Sequence, residues 1–133
     1  MDEETKRFIR ARANERCEYC GIHQRVHPDF TFHIEHIVAK QHGGSDETDN
    51  LALSCHLCNS KKGPNLSGLD PDTGLLTRLF DPRTDRWNEH FRIAETGRII
   101  GVTDVGRTTV HLLDMNSEIR TRIRQEIRHL GEE

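Results

Sequence analysis

Two Cys-x-x-Cys pairs constrain this chain more than any other feature of its sequence. Cys17 and Cys20 form the first pair, Cys55 and Cys58 form the second, and these are all four cysteines of the chain. Two such pairs can present four thiolates to one tetrahedral zinc ion. Two disulfides or four unrelated thiols are the alternatives, but stable disulfides are rare in the cytosol. The spacing therefore predicts a structural zinc ion that clamps the segment between the pairs.

The composition explains why such a clamp would help the chain to fold. Of 133 residues, 33% are hydrophobic and 31% are charged, so the apolar core must be small. No apolar run reaches the ~20 residues of a membrane-spanning helix, and the N-terminal segment lacks the apolar stretch of a secretory signal. We therefore expect a cytoplasmic protein without membrane association and without an obligate protein partner.

The charge balance limits how the chain can bind nucleic acid. Lys and Arg number 19 against 22 Asp and Glu, which gives a formal net charge of −3. This balance does not favour binding of a phosphate backbone through a wide basic surface. Attraction to nucleic acid would have to be local, through bound metal ions and a few clustered basic side chains.

The N-terminal part of the chain predicts helix, strand, loop, strand and helix in that order. Residues 3–15 contain good helix formers, and residues 31–37 alternate apolar and polar side chains as a strand does. Residues 39–49 are typical of a loop, with a Gly-Gly pair, and residues 50–53 indicate a short second strand. A helix is expected from Cys55 until Gly63-Pro64 ends it.

The C-terminal part predicts a hairpin followed by two helices. Residues 65–85 hold two of the four prolines together with Gly68 and Gly74, and they read as connecting structure. Trp87, Phe91 and Ile93 alternate with polar residues before a turn, which favours a hairpin and places both aromatic rings in a core. A first helix is expected over 105–113. A second helix follows, with an apolar stripe formed by Ile119, Ile123, Ile127 and Leu130. Beside the stripe lies a basic row formed by Arg120, Arg124 and Arg128. We expect this row to face solvent rather than DNA.

Between the cysteine pairs lies a second set of polar residues, Glu35-His36, Asn50 and Asn59. Taken singly, each has an ordinary structural explanation: a buried strand histidine, a surface carboxylate, and asparagines in turns or caps. Carboxylate and amide oxygens are, however, the ligands that Mg²⁺ and Mn²⁺ prefer. A neutral imidazole beside them can accept a proton near neutral pH. The whole set therefore indicates a hydrolytic metal site.

Residues 17–63 resemble the HNH endonucleases, a His-Me finger family with the ββα-metal fold. The matching residues are Cys17-x-x-Cys20, Glu35-His36-Ile37, Gly43-Gly44, Asn50-Leu51, Cys55-x-x-Cys58-Asn59 and Lys62-Gly63. The resemblance implies that His36 is the general base and that Glu35 and Asn59 hold a catalytic Mg²⁺ or Mn²⁺ ion. It also implies that Asn50 pins the loop and orients His36, and that the substrate is DNA, cut to leave 5′-phosphate and 3′-hydroxyl ends.

The chain departs from the commoner family pattern at three positions. Glu35 stands where Asp is commoner, and Asn59 stands where the third family letter is often His. Ala39 stands where the family often has proline, which can loosen the loop by ~0.4–1 kcal/mol through chain entropy. None of the three departures removes a group that hydrolysis requires.

Four further residues near the motif carry open interpretations. His33 lies two residues before Glu35, and we favour a structural hydrogen bond for it over contact with metal or phosphate. His56 is expected to be an exposed helix residue. Lys61 and Lys62 fit phosphate contacts and a solvated helix end almost equally well.

These observations predict an α+β protein with a zinc-clamped ββα-metal core in residues 1–66. An N-terminal helix belongs to that core, and residues 67–133 form a hairpin-plus-helices extension. The expected activity is metal-dependent hydrolysis of DNA phosphodiester bonds, and RNA stays open as a substrate. The alternative is a non-catalytic zinc-binding module that recognises nucleic acid or a protein, which the acidic net charge favours.

Overall fold

The computed structural model describes residues 1–130, which divide into two compact units. The first unit comprises Met1–Leu66 and Asp81–Thr84, and the second comprises Ser67–Phe80 and the chain from Asp85 onward. Helices alternate with three two-stranded antiparallel sheets, which confirms the α+β class. Within the described residues, no helix has both the length and the apolarity needed to cross a membrane.

The first unit consists of two helices and one hairpin, whose bounds are α1 Glu3–Arg12, β1 His33–His36, β2 Leu51–Ser54 and α2 His56–Lys62. The predicted order of helix, strand, loop, strand and helix is confirmed. α1 begins where the Asp2 carboxylate accepts a hydrogen bond from the Thr5 amide. It ends earlier than predicted because Asn14 and Glu15 adopt positive φ angles, which no helix interior allows.

The core of the first unit lies where α1 packs against the hairpin. Ile9 of α1 and Leu51 and Leu53 of β2 are fully buried. Arg12 at the end of α1 donates hydrogen bonds to the carbonyls of Thr48 and Leu51, which ties the helix to the start of β2. These contacts hold one side of the hairpin and leave its other side for α2.

The second unit contains two hairpins and three helices, whose bounds are β3 Ser67–Leu69, β4 Leu76–Arg78, α3 Trp87–His90, β5 Phe91–Ile93, β6 Ile99–Gly101, α4 Asp104–Leu112 and α5 Glu118–His129. The predicted hairpin and both helices are present. The interpretation of residues 65–85 as connecting structure is wrong, because β3 and β4 pair there. Trp87 lies in a short helix rather than in a strand, and its ring packs on the buried Phe91 ring with centroids 5.0 Å apart.

Two arginines of α5 differ from the prediction, whereas the third, Arg128, is exposed as predicted. Arg120 and Arg124 are buried, whereas Ile119 is 61% exposed. Arg124 donates hydrogen bonds to the carbonyls of Gly97 and Met115, which belong to the turns before β6 and before α5. Buried carbonyls need donors, and a long guanidinium can reach several of them while its stem fills apolar space. Arg120 and Arg124 therefore do not face DNA or solvent.

Arg124→Leu is expected to lower the free energy of unfolding of the second unit by about 3 kcal/mol, because two buried carbonyls lose their donor. Arg122→Leu is the matched control, since Arg122 is exposed and pairs with Glu118 one turn away. Its expected cost is below about 0.5 kcal/mol. Urea unfolding followed by fluorescence of Trp87, the single tryptophan, measures both. Equal losses for the two variants would contradict the structural role of Arg124.

Candidate functional site

The four cysteines converge to one buried cluster in the first unit. The four Sγ atoms all lie within 4.8 Å of one another, and those of Cys20 and Cys55 are 3.7 Å apart. A tetrahedral ion with bonds of ~2.3 Å to sulfur needs sulfur–sulfur separations of about 3.8 Å. All four cysteines are free, so the disulfide alternative is not what the fold contains. The cluster is therefore positioned to bind one metal ion.

Backbone amides and neighbouring thiols support negative charge on this cluster. The amides of Cys20 and Cys58 each donate to the first sulfur of their own pair, at 3.5 and 3.4 Å. Hydrogen bonds from the other three thiols lower the pKa of Cys55, whereas hydrogen bonds with Cys17, Cys20 and Cys55 raise the pKa of Cys58, so the negative charge is favoured on Cys55. Four thiolates at this distance need a cation between them, because their mutual repulsion is otherwise uncompensated.

Glu35 and His36 are neighbours on β1, and their side chains leave the strand on opposite faces. Glu35 stands opposite Ala52, and His36 stands opposite Leu51 in the antiparallel register. Glu35 is only 7% exposed, whereas the His36 side chain is partly open to solvent. The two groups therefore meet different surroundings although they are adjacent in sequence.

Glu35 faces α2, where the ammonium of Lys62 approaches it. The Lys62 Nζ atom lies 3.9 Å from one Glu35 oxygen and donates a hydrogen bond of 3.0 Å to the Ile37 carbonyl. Burial raises the pKa of Glu35 to about 7, although Lys62 and Tyr19 lower it. Among the residues that the structure describes, none forms a hydrogen bond to the other oxygen, Oε1. A buried carboxylate oxygen without a donor is suited to a cation.

His36 is held by a carboxylate from the loop between β1 and β2. Its Nε2 atom lies 2.7 Å from an Asp46 oxygen, and the other Asp46 oxygen lies 3.2 Å from the Lys40 ammonium. The hydrogen bond from His36, followed by that from Lys40, lowers the pKa of Asp46. An ionised carboxylate only accepts hydrogen bonds, so Nε2 of His36 carries the hydrogen. In a neutral ring, Nδ1 then has the free lone pair.

Asn50 bridges the two ends of the same loop. Its Oδ1 accepts from the Val38 amide, and its Nδ2 donates to the carbonyls of Val38 and Ser45 at 3.0 and 2.8 Å. Its own carbonyl accepts from the Ile37 amide. Ser45 directly precedes Asp46, so these bonds position the carboxylate that holds His36.

Asn59 lies in the middle of α2, on the helix face that meets β1. Its neighbours one turn away, His56 and Lys62, contact His33 and Glu35 respectively. Side chains three residues apart share a helix face, so Asn59 lies on the line between these two contacts. The half-buried Asn59 amide is thus on the same side of the hairpin as the Glu35 carboxylate.

Comparison with known proteins identifies this part of the chain. Residues 17–65 match the family model of HNH endonuclease. Searches of curated proteins and of solved structures each found no significant match. The family match bears out the resemblance found in the sequence and supports a nuclease-type function with nucleic-acid binding for residues 17–65, hereafter the HNH segment.

Lys62 corrects one interpretation of the HNH segment. We expected a phosphate contact or a solvated helix end, but its side chain is 2% exposed and points into the protein. α2 lies across the hairpin, so its last residue reaches the Ile37 carbonyl and the Glu35 carboxylate. Lys61, one position earlier, is exposed, as a solvated helix end would be.

Lys62→Met is expected to destabilise the first unit more strongly as pH rises. The pKa of Glu35 is about 7 in the fold, against 4.5 for an unperturbed glutamate. Its contribution to stability is therefore complete below pH 4.5 and is lost as pH rises through 7. Lys62 lowers the pKa of Glu35, so its removal raises this pKa further. The loss of stability between low and high pH then becomes larger. We expect about 1 kcal/mol at pH 5, from the Ile37 carbonyl, and about 1–2 kcal/mol more at pH 8.

Urea unfolding of the zinc-loaded protein at the two pH values measures this dependence, with Lys61→Met as the exposed control. At each pH the free energy of unfolding of the variant is subtracted from that of the wild type. This subtraction removes the effect of pH on the cysteine cluster, which both proteins share. A Lys62→Met loss that is the same at pH 5 and pH 8 would show that the ammonium does not act on Glu35.

Two residues of this region had no assigned role in the sequence. Asp46 belongs to a loop whose fold brings it back to His36, and only its position after the Gly-Gly pair hints at such a turn. Tyr19, between the first two cysteines, is buried beside Glu35. His33 and His56 bond each other at 3.2 Å, which agrees with the structural hydrogen bond favoured for His33.

Proposed function

We propose that the protein is a metal-dependent HNH endonuclease that hydrolyses DNA phosphodiester bonds. The observation that carries this proposal is the hydrogen bond from His36 to Asp46 within a segment that matches the HNH endonuclease model. The bond fixes the imidazole at the edge of the hairpin and leaves one ring nitrogen able to accept a proton. RNA is a second substrate to test, because the net charge of −3 gives no basic surface that would favour duplex DNA.

His36 is the general base in this proposal. Nδ1 takes a proton from the attacking water as its oxygen bonds to phosphorus. The bond from phosphorus to the 3′ oxygen breaks, and this oxygen takes a proton from a solvent water to become the 3′ hydroxyl. Nε2–H remains bonded to Asp46, whose negative charge stabilises the imidazolium that forms. Asn50 holds the loop that carries Asp46 and touches neither water nor ion.

Glu35 and Asn59 are the residues that would hold the catalytic ion. Their carboxylate and amide oxygens are hard donors that favour Mg²⁺ or Mn²⁺. Such an ion, when bound, neutralises charge on the phosphoryl group and on the departing 3′ oxygen. The Oε1 atom of Glu35, which has no donor among the described residues, supports this role. Ion binding would also favour the ionised form of Glu35 over the protonated form that burial favours.

Cys17, Cys20, Cys55 and Cys58 hold a structural zinc ion in this proposal. The ion would tie the chain before β1 to the start of α2, and so keep Asn59 over Glu35. We propose residues 1–66 as the HNH core with a ββα-metal fold and residues 67–133 as its extension. The cytoplasm is the proposed compartment, because its reducing conditions keep the thiols available to zinc.

Plasmid nicking tests the proposed activity directly. Zinc-loaded protein is incubated with supercoiled plasmid and with a labelled RNA, in Mg²⁺, in Mn²⁺ and without either ion. We expect DNA cleavage only when a hard divalent ion is present, and ligation of the nicked product identifies its 5′-phosphate and 3′-hydroxyl ends. Failure to cut any form of DNA or RNA in either ion would contradict the proposal.

The second candidate function is a non-catalytic zinc-binding module for nucleic acid or protein. The observation in its favour is the burial of Glu35 against Lys62, on the opposite strand face from His36. A structural ion pair explains that contact without a catalytic ion. The two candidates differ in whether Glu35 and Asn59 bind Mn²⁺.

Asp46→Asn is expected to reduce the rate of cleavage by about 10- to 100-fold at saturating DNA, with little change in KM. The neutral amide cannot stabilise an imidazolium as the carboxylate does. Glu47→Gln, the adjacent exposed residue, is the matched control and should cut as wild type. Single-turnover cleavage at saturating Mn²⁺ separates the rate from binding. A rise in KM with an unchanged rate at saturating DNA would assign Asp46 to substrate binding instead.

A further inference from the structure

We propose that His33 and His56 form a second metal-binding site, selective for a d-block divalent ion such as Ni²⁺, Cu²⁺ or Zn²⁺. The Nε2 atom of His33 lies 3.2 Å from the Nδ1 atom of His56, and the ring centroids are 5.5 Å apart. The pair shares no residue with the cysteine cluster or with the ion proposed at Glu35 and Asn59. No step of the proposed hydrolysis uses it.

The distance between the two nitrogens suits chelation. Imidazole nitrogens bind zinc at ~2.0–2.1 Å, so two nitrogens 3.2 Å apart subtend an angle of about 100° at a shared ion. That angle lies between the ideal octahedral and tetrahedral values. The centroid separation of 5.5 Å is close to the largest that a nitrogen contact of 3.2 Å allows, so the two rings lie nearly end to end. Each ring must therefore turn about its χ angles before both lone pairs face one ion.

When both rings are neutral, an ion can bind to the pair without loss of a proton. At present one ring donates N–H to the lone pair of the other, and the tautomers decide which ring is the donor. Solvent can move the shared hydrogen to the distant nitrogen of the donor ring. Both lone pairs then converge on the space between the rings. Each neutral ring keeps one hydrogen throughout.

The backbone holds His33 and His56 next to each other before any ion binds. His33 begins β1 and pairs with Ser54, the last residue of β2. His56 begins α2 only two positions later, directly after the cluster residue Cys55. Strand pairing and the cysteine cluster therefore fix the two Cα atoms. Preorganisation of this kind lowers the entropy cost of chelation.

The ligand set predicts which ions bind and how. Imidazole prefers Ni²⁺, Cu²⁺ and Zn²⁺ over Mg²⁺ and Mn²⁺. Across the described part of the chain, three or more histidine, cysteine and carboxylate ligands meet only in the cysteine cluster. An ion at His33 and His56 thus has two protein ligands and keeps its other positions for water or for phosphate oxygens. His56 is exposed, so both can reach it.

Isothermal titration of the zinc-loaded full chain with Ni²⁺ tests the site. We expect one Ni²⁺ per chain in addition to the zinc. His33→Gln and His56→Gln should each weaken Ni²⁺ binding at least ~10-fold. His42→Gln, an exposed single histidine of the same unit, should bind as wild type. Glu35→Gln should also bind as wild type, so the result does not depend on the proposed nuclease.

Three measurements decide the outcome: zinc release, NMR line broadening and Ni²⁺ affinity. A chromogenic chelator follows zinc release, because Ni²⁺ that displaces zinc from the cysteines would give heat without using the histidines. Selective broadening of the His33 and His56 ring signals in NMR spectra by Ni²⁺ would support the site. Equal Ni²⁺ affinity in wild type and His33→Gln, or binding only with loss of zinc, would overturn it. His33→Gln is decisive because His33 is distant in sequence from the cysteines.

Discussion

Replacing Cys58 by serine is expected to abolish zinc binding and to unfold the first unit. Cys58 is fully buried within the four-sulfur cluster, and a serine hydroxyl is a poor ligand for zinc. Structural zinc contributes about 10–16 kcal/mol of apparent binding free energy in small domains. That exceeds or equals the whole stability of a typical domain, about 5–15 kcal/mol. The metal content and the dispersion of amide signals in NMR spectra measure the effect.

Ser60→Ala is the matched control for this change. Ser60 lies two residues after Cys58 on α2 and is exposed, so its removal should leave zinc content and folding unchanged. Chelation of zinc from the wild type should reproduce the Cys58→Ser state. A Cys58→Ser protein that lacks zinc but keeps its signals and its unfolding transition would show that the cluster is not a clamp.

Replacing His36 by alanine is expected to slow DNA cleavage by about 10²–10⁴-fold, the usual contribution of a general base. The variant should retain zinc, because His36 bonds Asp46 in the loop and is not a member of the cysteine cluster. Asp46 would lose one partner but keep Lys40. Single-turnover plasmid nicking in saturating Mn²⁺, at equal zinc content, measures the rate of the chemical step.

His42→Ala controls for the loss of a histidine from the same loop, since His42 is exposed and has no role in the proposed chemistry. It should nick at the wild-type rate. Nicking by His36→Ala at the rate of wild type would assign the activity to another group or to a contaminant. Either explanation would remove His36 from the mechanism.

The features that sequence reasoning predicted are those that neighbouring residues decide. The cysteine pairs, the alternation in β1 and the Gly63 that ends α2 are all local patterns, and each is present in the fold. The hairpin β3–β4 was missed because Gly68, Pro71 and Gly74 lie within or between its strands and hide the alternation of only three residues per strand. The equally short β5–β6 was predicted because its aromatic and apolar residues stand out.

The features that were missed depend on contacts between distant residues. Lys62 and Arg124 read as solvated charges, yet both are buried because backbone carbonyls elsewhere in the chain accept their hydrogen bonds. The Asp46–His36 bond is of the same kind, since a loop must close before the two meet. Charge and periodicity carry no information about which carbonyl or carboxylate lies at the end of a long side chain.

Glu35 illustrates the limit most clearly. The motif predicts a metal ligand, and the fold gives it a buried oxygen without a donor among the described residues together with a lysine 3.9 Å from the other oxygen. The ammonium of Lys62 and a divalent ion would both be attracted to this carboxylate. Whether a hard ion binds there separates the nuclease from the non-catalytic module.

Electron paramagnetic resonance of Mn²⁺ added to the zinc-loaded protein tests this point most directly. We expect one Mn²⁺ ion to bind per chain, and Glu35→Gln and Asn59→Ala each to abolish that binding while zinc is retained. His33→Gln should bind Mn²⁺ as wild type does, because the imidazole pair prefers other ions. A wild-type protein that binds no Mn²⁺, or Mn²⁺ binding that survives both Glu35→Gln and Asn59→Ala, would contradict a catalytic ion at these residues.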